Sequence, residues 1–298
     1  MIDFIRMNYK EKSEVESFIC DSKNFEELRV VLEKHSGEIE YPYKTNLGAM
    51  EVTITEKNIR VMNSLHKFYN QHNKKGYRNH NDFTYSQLTE TINLLNNGLI
   101  KLEKARLSKL EFGLNIELDF PAEFIVRENI MMHKYQTHNH NKKFEGKGEF
   151  KQFDRSIYDF KIYDKAKQYS LPSNVLRIEI KHRCSKSINP HGIFNINDLT
   201  SKDSLQSLFE NLMMRFEELT IIDNYKNSSA ISEEVKKKIG IYTSYNHWES
   251  LKPSSNLRNK AIVQKAEFKQ LLEDNNLLNT KNLLRDKLNT KFQYLINN

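Results

Sequence analysis

The sequence predicts an α+β fold: an antiparallel sheet with helices on one face, followed by a helical C-terminal region. Three observations carry that expectation. Segments between residues 110 and 181 alternate apolar and polar side chains with a period of two, as half-buried strands do. The segments 158–165 and 175–181 are joined by a short polar connection, which suits antiparallel neighbours. From residue 196 onward the apolar spacing is mostly helical, with a break near 242–255. The expected organisation is therefore a sheet-bearing domain over 1–195 and a helical region over 196–298.

Along the chain, residues 1–7 read as a first strand and NFEELRVVLEK, at 24–34, as a helix. Residues 47–55 and 59–69 read as extended segments around a polar turn at 56–58. The polar stretch 71–82 has no periodicity and reads as a loop. Residues 84–97 begin with a capping pattern and carry Leu88, Ile92 and Leu95 on one side, so they predict a helix. LEFGLNIEL, at 110–118, is a strand, and Pro121 opens a helix over 121–130. A basic, histidine-rich loop follows at 135–148.

Composition narrows the class of partner. No stretch approaches the roughly 20 apolar residues of a membrane span, and the N-terminus MIDFIRMNYK has no apolar run of secretory-signal length. Two cysteines, Cys20 and Cys184, are too few for a disulfide scaffold, so a cytoplasmic location is expected. The formal net charge is +7. Residues 134–186 hold 13 Lys/Arg against 6 Asp/Glu, and 251–298 hold 9 against 4, so the rest of the chain is slightly acidic. Positive charge concentrated in this way suits a polyanion, because Lys and Arg displace counterions from phosphates. A solvated basic surface would look the same from charge alone.

Parity then points to a site. Successive strand side chains face opposite ways. Leu110, Phe112, Leu114, Ile116 and Leu118 take one face, and Glu111, Gly113, Asn115 and Glu117 the other. Phe160 and Ile162 oppose Asp159, Lys161, Tyr163 and Lys165; Leu176, Ile178 and Ile180 oppose Arg177, Glu179 and Lys181. In the segment from Ile59, His66 falls with the polar set. With the apolar faces on helices, the other face collects His66, Glu111, Glu117, Tyr163, Lys165 and Glu179. Any one strand would be polar outside by default; a histidine, carboxylates, a tyrosine and a lysine together suit metal-assisted phosphodiester chemistry.

NSLHKFYN (63–70), NDFTYSQL (81–88), LEFGLNIEL, KIYDKAKQY (161–169) and LRIEIKH (176–182) occur in this order, with HGIFNINDL (191–199) and NHWESL (246–251) downstream. Together they resemble the phage and plasmid rolling-circle replication initiators, the group of the filamentous-phage replication endonuclease. The resemblance runs from about residue 63 to the C-terminus and implies a Rep-like catalytic domain over 1–195. It implies an enzyme that binds origin DNA, nicks one strand with Mg²⁺ or Mn²⁺, stays attached to the 5′-phosphate through a tyrosine, and frees a 3′-hydroxyl for a host polymerase, with a host helicase as a further partner. The His-hydrophobe-His metal motif usual in that group is absent. The nearest match, His138-Asn139-His140, has a polar centre and lies in the loop, so the resemblance implies a carboxylate-rich metal site.

A phenol with a pKa near 10 needs help to act as a nucleophile. Tyr163 with Lys165 two residues on is the expected catalytic pair, with Tyr158 as the alternative nucleophile and Tyr169 a third. Glu179, Glu111 and His66 are the expected metal ligands. For Glu111, a cross-strand ion pair stands beside that reading. His133, His138 and His140 suggest a second site or simply a solvated loop. Lys142 and Lys143, with Phe144, Phe150 and Phe153 beyond, suit single-stranded DNA, whose bases stack and whose phosphates pair. Arg258, Lys265 and Lys269 share a side of a C-terminal helix opposite Leu257, Ala261, Phe268 and Leu272, as in a duplex-contacting helix or an amphipathic helix with a wet face. Two other functions fit the pattern: a non-catalytic origin- or operator-binding protein, and a mobilisation relaxase.

Overall fold

A computed structural model of the chain describes residues 1–142, 144 and 146–298. The strands are β1 (Ile2–Tyr9), β2 (Arg29–Leu32), β3 (Ile39–Leu47), β4 (Met50–Ile54), β5 (Ile59–Ser64), β6 (Arg106–Leu118), β7 (Ile130–His133), β8 (Phe150–Asp154), β9 (Tyr158–Asp164), β10 (Asn174–His182) and β11 (Leu219–Ile221). The helices are α1 (Ser13–Cys20), α2 (Leu65–His72), α3 (Tyr85–Gly98), α4 (Ala122–Phe124), α5 (Lys165–Tyr169), α6 (Ser185–Ile188), α7 (Lys202–Glu217), α8 (Glu233–Tyr242), α9 (Tyr245–Ser250), α10 (Ser255–Asp274) and α11 (Asn279–Asn297). Nine strands form one antiparallel sheet in the order β2-β3-β4-β5-β1-β6-β10-β9-β8, and β7 pairs with β11 apart from it.

Alternation decides which face is covered. Phe112 and Leu114 of β6, Ile178 and Ile180 of β10, and Phe160 and Ile162 of β9 are buried and share one core with Met7, Val52, Ile54 and Val61. Helices α7 and α11 lie against β6 on that side. Phe292 of α11 stacks on Phe209 of α7 with ring centroids 4.0 Å apart, and its edge meets Phe112 at 6.4 Å. Fully burying one such side chain contributes about 1.5–3 kcal/mol. The core takes in side chains from both sides of position 195, Ile180 and Ile188 before it and Leu212, Phe216 and Leu288 after it. A second, smaller cluster joins Met132 to Tyr242, Trp248, Phe268 and Leu272.

Several elements form as their sequences predict. Thr84 caps α3 in a capping box with Gln87, and Leu88, Ile92 and Leu95 are its buried stripe. The turn at 56–58 is closed by Thr55 N–H donating to the Asn58 carbonyl at 2.8 Å. Three expectations are corrected. Residues 24–34 form no helix: Arg29–Leu32 pairs with β3, placing Val31 opposite Glu40, and Val30, Val31 and Leu32 are 41%, 43% and 62% exposed. The available edge of β3 and the β-branched pair outweigh a weak helical spacing. The extended run from Ile59 stops at Ser64, whose hydroxyl accepts the Lys67 N–H at 3.1 Å and starts α2, so His66 is helical. The strand ending the 158–165 segment stops at Asp164, whose carboxylate accepts the Lys167 N–H at 2.9 Å, so Lys165 opens α5.

Candidate active site

The face of the sheet's centre opposite α7 and α11 carries the candidate site. In the β6–β10 ladder Glu179 lies opposite Gly113 and Lys181 opposite Glu111. In the β10–β9 ladder Lys161 lies opposite Glu179 and Tyr163 opposite Arg177. These residues therefore share one face. β1 adds Asp3. Alternation alone would send Asp3 inward with Ile5 and Met7, but the β1–β6 pairing slips between Ile2 and Ile5, and this irregularity turns the carboxylate toward the polar side.

Asp3, Glu111 and Glu179 each offer an oxygen within 4.8 Å of the others, and all three are buried. Lys161 Nζ lies 2.8 Å from Glu179 Oε1 and 3.1 Å from Glu111 Oε1. Lys181 Nζ lies 2.8 Å from Glu111 Oε1. Arg177 Nε donates to Glu179 Oε2 at 2.6 Å, and its Nη2 lies 3.6 Å from Asp3 Oδ2. Asp3 also accepts from the Ser64 hydroxyl and, at 2.6 Å, from Asn79 Nδ2. The Tyr163 hydroxyl donates to Glu179 Oε2 at 3.4 Å. Lys165 Nζ donates to Asn79 Oδ1 at 2.9 Å and sits 5.5 Å from the Tyr163 ring centre and 5.0 Å from that of Tyr169. The Tyr169 hydroxyl donates to the same Asn79 oxygen.

Apart from Arg177, these groups line a cleft of about 650 Å³, walled by Lys142, Phe144, Gly146 and Phe150 on one side and by Ser64, Lys67 and Asn79 on another. Phe144 and Phe150 stack with centroids 5.0 Å apart, and Phe144 lies 5.2 Å from Tyr163.

Burial and charge set the protonation states. Burial alone would raise the Glu179 carboxyl, but Lys161 and Arg177 beside it hold it below the usual carboxylate range. Asp3 is likewise held down, against burial, by Arg177 and Lys165 with help from Ser64 and Asn79. Burial, with Glu179 adjoining, pushes the Tyr163 phenol well above its ordinary value. Burial and then Arg177 lower Lys165 to about 8. Lys161 goes the other way, because Glu179 and Glu111 overcome the cost of its burial.

The expected residues divide. Tyr163, Lys165, Glu111 and Glu179 come together; Lys165 arrives from a helix rather than a strand. His66 does not join the carboxylates. Its buried ring stacks on Phe83 at 4.8 Å in a narrow cavity with Asp82 and Asn115, and burial lowers it to about 3. Asp3 takes the third position, missed because alternation places it inward. Tyr158, the expected alternative nucleophile, points instead to the helix-covered side, where Arg215 packs 4.8 Å from its ring centre, and does not line this cleft. Glu117 is exposed at the end of β6. His133 is fully buried, with Nδ1 2.9 Å from Arg155 Nη2, and is not grouped with His138 and His140, whose rings lie 4.1 Å apart. Lys142 lines the cleft, and Lys143 lies outside the described residues. Lys265 sits 4.6 Å from the Tyr135 ring centre in another depression with Lys269, Lys281 and Arg285, and Arg258 is exposed on α10; neither lines this cleft.

Three carboxylates with all-oxygen donors at this spacing fit a hard divalent cation such as Mg²⁺ or Mn²⁺. No described helix is long and apolar enough to cross a membrane. No family model and no curated protein matches the chain. Among solved structures it is similar to a rolling circle replication initiator protein from Geobacillus stearothermophilus, at 12% identity and a TM-score of 0.39, covering 78% of this chain and 89% of that one.

Proposed function

We propose that the chain is a replication initiator that nicks one strand of origin DNA and transfers it through a covalent 5′-phosphotyrosine. The observation that carries this reading is Tyr163: its hydroxyl lies 3.4 Å from Glu179 in a cleft that also holds Asp3, Glu111, Lys161, Lys165 and Lys181. The ordered sequence segments point the same way.

In this reading the Tyr163 oxygen attacks phosphorus, the bond from phosphorus to the 3′ oxygen breaks, that oxygen takes a proton from water to leave as the 3′-hydroxyl, and the 5′-phosphate stays on the tyrosine. Glu179 Oε2, the hydrogen-bond partner of the hydroxyl, orients the phenol, and the phenol proton leaves to water in the cleft. The Lys165 ammonium above the ring favours the phenolate. Asp3, Glu111 and Glu179 would hold Mg²⁺ or Mn²⁺, which when bound supplies polarisation of the phosphate. Lys142 with Phe144 and Phe150 would hold the single strand by charge and stacking. Lys143 remains a candidate DNA contact by sequence alone, and Arg258 and Lys265 would follow duplex phosphates outside the cleft.

A second reading, a non-catalytic DNA-binding protein, is favoured by one observation: each of the three carboxylates is already matched by a cation. A labelled single-stranded oligonucleotide library with Mn²⁺, run on a denaturing gel, separates the two. The wild-type chain should give a DNA-linked band, and Tyr163→Phe should lower it at least a thousandfold while binding persists. Full attachment by Tyr163→Phe with loss in Tyr169→Phe would move the nucleophile to Tyr169. A wild-type chain that binds the library and gives no band would leave the binding protein.

A further inference from the structure

Lys161 stands where a bridging cation would. Its ammonium contacts Glu179 Oε1 at 2.8 Å and Glu111 Oε1 at 3.1 Å, and those two carboxylates with Asp3 are the one cluster of potential ligands among the described residues. The carboxylates are matched without any ion: Asp3, Glu111 and Glu179 are met by Lys161, Lys181 and Arg177, and Lys165 lines the same cleft. A divalent ion added to that set would face uncompensated repulsion, so one resident cation must leave as it arrives.

The three cations differ in their freedom to do so. Arg177 is 4% exposed at its side chain, donates to Glu179, reaches Asp3, and also donates to Asn115 Oδ1 at 3.0 Å. It is pinned from three directions. Lys181 is 27% exposed but touches Glu111 alone and lies 5.5 Å from the Phe4 ring centre, so its departure would free one carboxylate only. Lys161 touches both carboxylates, is 15% exposed at its side chain, and lines the cleft on a flexible four-carbon stem.

We propose that Lys161 is an internal stand-in for the divalent ion. Its ammonium holds Glu111 and Glu179 together in the metal-free protein and swings into the cleft when an ion binds, where it meets the phosphate of the strand. The inference rests on reading the carboxylates as a cation site. Its consequence is a weakened metal affinity: every ion that binds must first break two charge-assisted hydrogen bonds.

The test is Mn²⁺ binding to the full chain without DNA, followed by the electron paramagnetic resonance signal of free Mn²⁺. Lys161→Met keeps the stem and removes the charge, so it should bind Mn²⁺ at least tenfold more tightly than wild type. Lys161→Gln should do the same, and Lys181→Met should change affinity less than threefold. If Lys161→Met is unstable without metal, its melting temperature should rise more with Mn²⁺ than that of wild type. Affinity equal to or weaker than wild type in both Lys161 variants overturns the inference, as does an equal gain in Lys181→Met. The nicking reading fails separately. Tighter Mn²⁺ binding with no DNA-linked band from wild type keeps Lys161 as the stand-in and removes the nuclease. A wild-type band with unchanged Mn²⁺ affinity in the variants does the reverse.

Discussion

Gly113 shows how little room the site has. A Cβ there would come within 2.4 Å of the Glu179 Cβ and 2.7 Å of the Ile178 carbonyl oxygen, both parts of a paired strand that cannot yield freely. Gly113→Ala should therefore cost about 1–3 kcal/mol of stability by overpacking and displace Glu179 from Lys161. Urea denaturation checks the first effect, and a cost under about 0.5 kcal/mol would show that the ladder adjusts. Much of the site's membership was legible at this scale. Strict alternation in LEFGLNIEL, YDFKIYDK and LRIEIKH put Glu111, Tyr163 and Glu179 on a common side. Asp3 was not legible, because a slip in pairing reverses its direction and nothing in IDFIRM marks the slip. His66 was misplaced for the opposite reason: Ser64 ends the strand two residues earlier with a hydroxyl cap.

Among elements, α11 bears on the site from behind. Its Phe292 is fully buried between Phe209 and Phe112, and Phe112 is the chain neighbour of both Glu111 and Gly113. Phe292→Ala should cost about 3–5 kcal/mol through lost burial and a residual cavity, measured by chemical denaturation; a loss below about 1 kcal/mol would mean that the helix is not needed to hold β6. The capped α3 and the long apolar stripes were readable because local signals and tertiary packing agree there. The 24–34 segment was misread because they disagree: FEEL and LEK favour a helix, yet Val30 and Val31 lie on an edge strand that β3 recruits. Lys165 belongs here too, since the aspartate before it turns strand into helix.

At the scale of the whole molecule, three buried histidines make stability depend on pH. Burial, the largest cause in each, lowers His66, His133 and His182 to about 3. Below pH 6.5 the unfolded chain takes up protons that the folded one refuses, so stability is complete above that value and drains away toward pH 3; at pH 5 the loss is about 2 kcal/mol for each histidine. Urea midpoints at pH 7.5 and pH 5.0 should differ accordingly, and a flat profile would mean that these rings take protons in the folded state. The overall class was legible because the period changes from two to helical spacing near residue 196, whereas strand order was not, since parity names faces and never neighbours. That order has a consequence of its own. Asp3, Glu111, Lys161 and Glu179 sit on β1, β6, β9 and β10, which are contiguous in space yet spread along the chain from residue 3 to residue 179. No early fragment of a growing or refolding chain can assemble the quartet, because the partner groups are still unmade or unpaired. The quartet is thus complete only once β1, β6, β9 and β10 are all paired.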